Sequence, residues 1–181
     1  HRYIDFIDTY SAAFRRSVFL EAGGYDRSFP TASVEDQEFS FRLADAGHKM
    51  VFAPGAKVCH THVNGLGDYI RKKFKIGYWK TLVLKKNPNR VSGDSHTPLT
   101  LRLQILLLAA LVLSLLFLVA GLYGALVPLA LTVLFLLTTL PLVVRCLRRD
   151  PAVGVLSPLF IMCRAGGLTM GLARGALDHI L

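Results

Sequence analysis

Apolar and polar positions follow three different rhythms along this chain, and each rhythm predicts a different kind of element. In the first part, short amphipathic stretches alternate with turn residues. The run 16–22 reads as a short helix stopped by Gly23-Gly24; Ser33 opens a second helix over 34–46, with Phe39 and Leu43 at i,i+4 and Gly47 as its stop. Lys49-Met50-Val51-Phe52 reads as a short strand, Ala53-Pro54-Gly55 as a turn and Lys57-Val58-Cys59-His60 as a second strand. Together these predict the closing elements of an α/β domain over residues 1–66. From 67 to 87 the pattern turns helical, with Tyr69, Phe74, Tyr78 and Trp79 set among lysines. Aromatic and basic side chains mixed in this way favour the headgroup region, so 67–98 is expected to be an interfacial helix and a polar linker.

The third rhythm is almost unbroken Leu, Val and Ala over 99–144. It divides into two spans, 103–122 and 126–144, each roughly 30 Å long as a helix, which matches a bilayer's hydrocarbon core. Tyr123-Gly124-Ala125 is the expected turn of a transmembrane hairpin occupying 99–146. The tail 147–181 is apolar too, but Arg164 sits within it, and Gly167, Gly171 and Gly175 recur every fourth residue. A third span with a buried Arg is costly, whereas the glycine spacing permits close helix packing. The tail therefore reads as an interfacial or re-entrant helix packed against the hairpin.

Charge refines this picture. The net charge of +9 is concentrated between Arg71 and Arg90, just ahead of the apolar block. A nucleic-acid surface would use such a cluster, but a following span favours a juxtamembrane segment facing anionic lipid, with no nucleic acid partner. Arg145, Arg148 and Arg149 follow the second span, so the positive-inside rule places both ends of the hairpin in the cytoplasm. The localisation implied is a multi-pass protein of the plasma (inner) membrane with its polar part cytoplasmic. Cys59, Cys146 and Cys163 have no CxxC spacing and suit reduced thiols. The first residues after His1 read as the interior of a domain, so the reading expects truncation at that end.

The candidate chemistry lies in an ordered set: Phe14-Arg15-Arg16, Gly23-Gly24-Tyr25-Asp26, Glu35-Asp36 through Arg42-Leu43, Gly47, Pro54 and Val58-Cys59-His60. In order and spacing, residues 10 to 62 resemble the acceptor half of family 2 glycosyltransferases. The resemblance implies a GT-A fold, a nucleotide-sugar donor, a lipid-linked or glycan acceptor, a divalent metal (Mn²⁺ or Mg²⁺) and inversion at the anomeric carbon. It places Asp36 on the family's general base, which takes a proton from the acceptor hydroxyl, with Glu35 as a supporting acidic residue. It matches His60 to a metal ligand, with His62 as a competitor two residues on. Arg15 and Arg16 are implied contacts for phosphate or a phosphorylated acceptor, and Gly23 and Gly24 a sharp turn below the acceptor, with Tyr25 a packing residue. The alternative for Asp36 is a capping box, Ser33-x-x-Asp36.

The departures weigh as much. The chain has no Asp-x-Asp, Asp5-x-x-Asp8 has the wrong spacing, and Gln-x-x-Arg-Trp is absent. By itself the fragment is expected not to turn over substrate. The competing class is a non-catalytic small membrane protein that binds anionic lipid or a protein partner. A reading frame continuing upstream into an Asp-x-Asp unit would decide for the enzyme.

Overall fold

A computed structural model describes residues 3–91 and 97–180. The first layer is built on two short helices and one two-residue ladder. Helix α1 (Arg16–Glu21) and helix α2 (Glu35–Asp45) both end in the same way. After α1, the Gly24 amide bonds back to Phe19 O (2.9 Å) and the Gly23 amide to Leu20 O (3.0 Å); after α2, His48 bonds to Leu43 O and Gly47 to Ala44 O, each at 3.0 Å. This paired 6→1 and 5→2 closure requires a left-handed residue after the helix. Gly23 (φ +77°) and Gly47 (φ +81°) supply it without the Cβ penalty.

Strand β1 (Tyr3–Ile4) pairs antiparallel with β2 (Met50–Val51), Tyr3 opposite Val51 and Ile4 opposite Met50. It is the one ladder among the described residues, which are otherwise mostly helical, so the α/β expectation is not met here. The strand expected over 57–60 is absent. Residues 57–64 have no regular structure, and every residue from 51 to 68 is exposed. A strand's amides need a neighbouring strand to bond, and none lies beside this segment among the described residues.

Helix α2 is buried on two sides. Phe39, Leu43 and Met50 form one cluster with Ile4, Ile7, Phe14, Val18 and Phe19 packed against it. Phe41, Phe29, Val34 and Val83 form a second, flanked by Ile76, Trp79 and Leu82. The last four belong to α3 (Leu66–Lys86), a 21-residue helix, so Trp79, one of the four aromatic residues of the basic run, helps join α3 to α2. Trp79 meets Phe29 edge-on at 6.0 Å between ring centroids. Several cations of the basic run also turn inward. Lys80 donates to Gln37 Oε1 (2.8 Å), Lys86 pairs with Asp26, and Arg90 with Asp5 and Asp45.

The apolar part begins with α4 (Leu99–Ser114), tightens into a 3-10 segment (Leu115–Ala120) and reverses at Gly121 into α5 (Leu122–Leu147). The turn is thus at Gly121, at φ +73°, rather than at Tyr123-Gly124-Ala125. Only Gly takes that conformation readily, and Tyr123 and Gly124 continue as helix. Of the linker expected over 92–98, residues 92–96 lie outside the described residues. Helix α6 (Pro151–His179) is one continuous 29-residue helix. Its start has an Asp-Pro signature: Asp150 Oδ1 accepts from the Ala152 (2.9 Å) and Val153 (3.1 Å) amides, and Pro151 opens the first turn. By length and composition α5, over Gly124–Leu147, and α6 are apolar enough to cross a membrane.

The glycine stripe of α6 packs mainly on α3. A Cβ built on Gly171 would lie under 3.0 Å from the backbone of Phe74 and Tyr78, and one on Gly175 under 3.0 Å from Tyr78 O; Gly167 faces Ile70 O at 3.0 Å. Gly77 of α3 reciprocates against Leu168 O. The order of partners shows that α3 and α6 run parallel. At the far end, Thr81 Oγ1 and His179 Nδ1 are 2.8 Å apart and Tyr78 donates its hydroxyl to Asp178 (3.0 Å).

Replacing Gly171 by Leu should destabilise the protein by about 1–3 kcal/mol, the usual scale of overpacking, in denaturant unfolding in detergent. Gly166→Ala should be near neutral, since its Cβ would meet only Leu108 at an ordinary 3.6 Å. Equal effects from the two substitutions would contradict a backbone-to-backbone crossing.

Candidate functional site

Asp36 lies in the first turn of α2, whose N-cap residue, Val34, makes no side-chain cap. The capping-box alternative is not realised by Asp36: the Ser33 amide donates instead to Glu35 Oε2 (2.6 Å). Glu35 thereby holds the loop that enters α2. Asp36 is left to face the chain's first segment, where Thr9 donates both its amide and its hydroxyl to Oδ2 (3.3 Å each), while the Gln37 amide donates to Oδ1 (2.8 Å). One turn further on, the buried Ser40 hydroxyl accepts from the Ile7 amide at 3.1 Å. Ser40 thus pins residues 5–8 beside α2 and brings Thr9 within reach.

Burial pushes the Asp36 carboxyl above the ordinary aspartate range. The hydrogen bonds from Thr9 and Gln37 pull it partly back, and the charges of Glu35 and Asp8 add to the rise. Tyr25 stands close enough to respond. Its hydroxyl is pushed up by burial first, then by the Asp36 and Glu35 charges. Its ring meets Phe19 (5.4 Å) and Phe39 (5.2 Å) edge-on. Tyr25 therefore packs, as its sequence context suggests, and also edges the carboxylate pair.

The 3-10 turn Thr9–Ser11 connects this pair to the histidines. Thr9 holds Asp36, and the next residue, Tyr10, lies 4.0 Å from the His60 ring at 30°. Lys72 of α3 donates to the Tyr10 hydroxyl at 2.9 Å. His60 and His62 are exposed, with ring centroids 5.1 Å apart. Among the described residues no three His, Cys, Asp or Glu side chains converge as a metal site. Two imidazoles without a carboxylate do not fit Mg²⁺, which takes oxygen ligands, and are an incomplete set for Mn²⁺. The donor set therefore does not form a metal centre here.

Gly23 and Gly24 form the turn that closes α1, and Gly24 is also left-handed (φ +67°). Arg15 and Arg16 are exposed at the start of α1, and no contact among the described residues links either to Asp36. Arg42 belongs to the ordered set of the sequence reading, which gave it no role of its own. Its guanidinium bonds both Glu38 carboxylate oxygens (3.0 and 2.9 Å), Gly24 O (2.9 Å) and Ala22 O, and lies 5.2 Å from the Phe39 ring centroid. Arg42 fastens the glycine turn to α2, because a planar fork matches a carboxylate while its remaining donors satisfy the free helix-end carbonyls. The i,i+4 spacing of Glu38 and Arg42 is the signal that would have found the pair.

The family model described as glycosyl transferase family group 2 matches residues 6–146. The pre-mycofactocin glycosyltransferases of two Mycobacterium tuberculosis strains, CDC 1551 / Oshkosh and ATCC 25618 / H37Rv, are each 26% identical over 92 residues. Each alignment covers 51% of this chain and 19% of the relative, so the match spans about a fifth of the relatives' length. No solved structure matches.

Arg42→Ala should cost roughly 2–3 kcal/mol in chemical denaturation, because it strands the buried Glu38 carboxylate. Adding Glu38→Gln to Arg42→Ala should recover part of that loss; a double variant no more stable than the single one would rule out the pairing as the cause.

Proposed function

Because this chain belongs to glycosyl transferase family group 2, we propose that it forms the acceptor side and membrane anchor of an inverting transferase. The enzyme moves a sugar from a nucleotide-sugar donor to a lipid-linked or glycan acceptor held at the membrane, in the building of cell-envelope polysaccharide. Asp36 is the general base. Its carboxylate takes the proton from the acceptor hydroxyl as that oxygen attacks the anomeric carbon. The bond to the nucleoside diphosphate breaks on the opposite face, which inverts the centre. The observation that carries this reading is a half-buried carboxylate at a helix start, fixed by Thr9 and raised above the ordinary aspartate range. A base works best when its pKa approaches the operating pH.

Glu35 and Arg42 position the entrance to the site: Glu35 fixes the loop before α2, and Arg42 fixes the Gly23-Gly24 turn. Arg15 and Arg16 supply exposed positive charge for a phosphate-bearing acceptor or leaving group. Enzymes of this family commonly use a divalent metal, but no step is assigned to one through His60 or His62. The hairpin α4–α5 crosses the membrane, with the catalytic part on the cytoplasmic side, where nucleotide sugars are made. The bias of Arg145, Arg148 and Arg149 supports that orientation.

In the full-length enzyme, Asp36→Asn should lower turnover by at least ~10²-fold, the scale of a lost acid–base group. Its stability gives an independent check. A carboxyl whose folded pKa is raised contributes its full stabilisation below its unfolded pKa, and that contribution is lost as pH rises through the folded value. At neutral pH Asp36→Asn should therefore unfold no earlier than the parent. The acidic limb of kcat/KM should lie above the ordinary aspartate pKa, since the base must be ionised. Near-normal turnover by the variant would sink the assignment.

The orientation is tested with Arg149→Cys in a background lacking Cys59, Cys146 and Cys163. An impermeant thiol reagent should label it only after the membrane is opened. Labelling on intact cells would overturn the topology.

A further inference from the structure

Arg164 is the one residue that the sequence marked as out of place in the apolar tail, and its surroundings do not neutralise it. Its Nη2 donates to Gln104 Oε1 (2.9 Å), and the buried Gln104 amide in turn faces Thr138 on α5, 3.2 Å from Oγ1. Its Nε is buried and has no hydrogen-bond partner. Among the described residues Arg164 forms no ion pair, and neither does Lys73, one turn along α3 from Tyr69. The Lys73 ammonium lies 5.3 Å from the Tyr69 ring centroid. Burial pushes it below the ordinary lysine range, and the charge of Arg164 adds to that, followed by Lys72. Two cations therefore sit within each other's field beside apolar helices, with no carboxylate between them.

Arg164 also lines a cavity of about 240 Å³ between α3, α5 and α6. Its other walls include Tyr69, Leu142, Cys146, Ser157 and Phe160. The walls are apolar except for Arg164, the Tyr69 hydroxyl and Ser157, whose own hydroxyl is occupied by Gly154 O (2.8 Å). Cys146 lies in the last turn of α5, next to the basic connection Arg148-Arg149, so the cavity is near the membrane end that carries the positive residues. A half-buried cation left without a counter-charge is unfavourable, and an apolar wall below it disfavours a freely hydrated ion.

We propose that this cavity binds the phosphate headgroup of an anionic membrane lipid, with Arg164 as its principal contact and the lipid chains lying along the exposed leucines of α5 and α6. The site is distinct from Asp36 and its neighbours. It rests on the membrane reading above, so the test is made in detergent, and membrane insertion is scored separately by carbonate extraction. The full-length protein in a non-ionic detergent is alkylated with a maleimide, and the rate at Cys146, on the cavity wall, is compared with that at the exposed Cys59. Phosphatidylglycerol added to the micelles should slow Cys146 at least fivefold relative to Cys59. Phosphatidylcholine and inorganic phosphate at the same concentration should leave the ratio unchanged. Arg164→Gln, which keeps a hydrogen-bonding partner for Gln104, should abolish the protection, whereas Arg149→Gln should retain it. Equal protection by the two lipids in the unsubstituted protein, protection by phosphate alone, or protection that survives Arg164→Gln would each overturn the site.

Discussion

The crossing of α3 and α6 is the contact on which the arrangement of this protein depends. Gly167, Gly171 and Gly175 on one helix and Gly77 on the other let the two backbones meet without intervening side chains. Close approach of this kind gains dispersion contacts along several turns, and it tolerates no added carbon. Because α6 also packs along α5 and α4, this crossing fixes where α3 stands relative to the apolar hairpin. The opposite face of α3, through Ile76, Trp79, Leu82 and Val83, receives Phe29, Val34 and Phe41. The position of α2, and of Asp36 at its start, is inherited through α3.

A second constraint is electrostatic. A chain of net charge +9 has few carboxylates, and the fold spends several of them on internal pairs: Asp5 and Asp45 on Arg90, Asp26 on Lys86, Glu38 on Arg42. Asp36 is different, because its partners are neutral amides and a hydroxyl. Without a cation to favour its ionised form, burial dominates and raises its pKa. The same accounting singles out Arg164 of α6, a cation whose side chain is matched by the neutral amide of Gln104.

How much could be read in advance depended on the range of the interactions involved. Helices α1, α2 and α3 were legible to within a residue or two, since amphipathic spacing and the glycine stops act locally. The ordered motif around Glu35-Asp36 was legible as a family resemblance, and the match over residues 6–146 places the chain in that family. The strand at 57–60 was misread because alternation describes a side-chain pattern, while a strand exists only where another backbone is present to bond it. The hairpin turn was misplaced by a few residues, since in the apolar run two glycines, Gly121 and Gly124, offer a turn and packing selects one.

By itself the sequence determined which segments are helical, where the long apolar run lies, and which carboxylate opens α2. It also showed that the glycines of the tail repeat at packing distance. Only the tertiary structure decided that this stripe meets α3, that Thr9 rather than Ser33 occupies Asp36, and that Arg42 ties the glycine turn to α2. Periodicity and capping signals report forces acting within a few residues, whereas partners separated by 27 residues, as Thr9 and Asp36 are, or by some hundred, as Tyr78 and Asp178 are, are chosen by how whole elements pack.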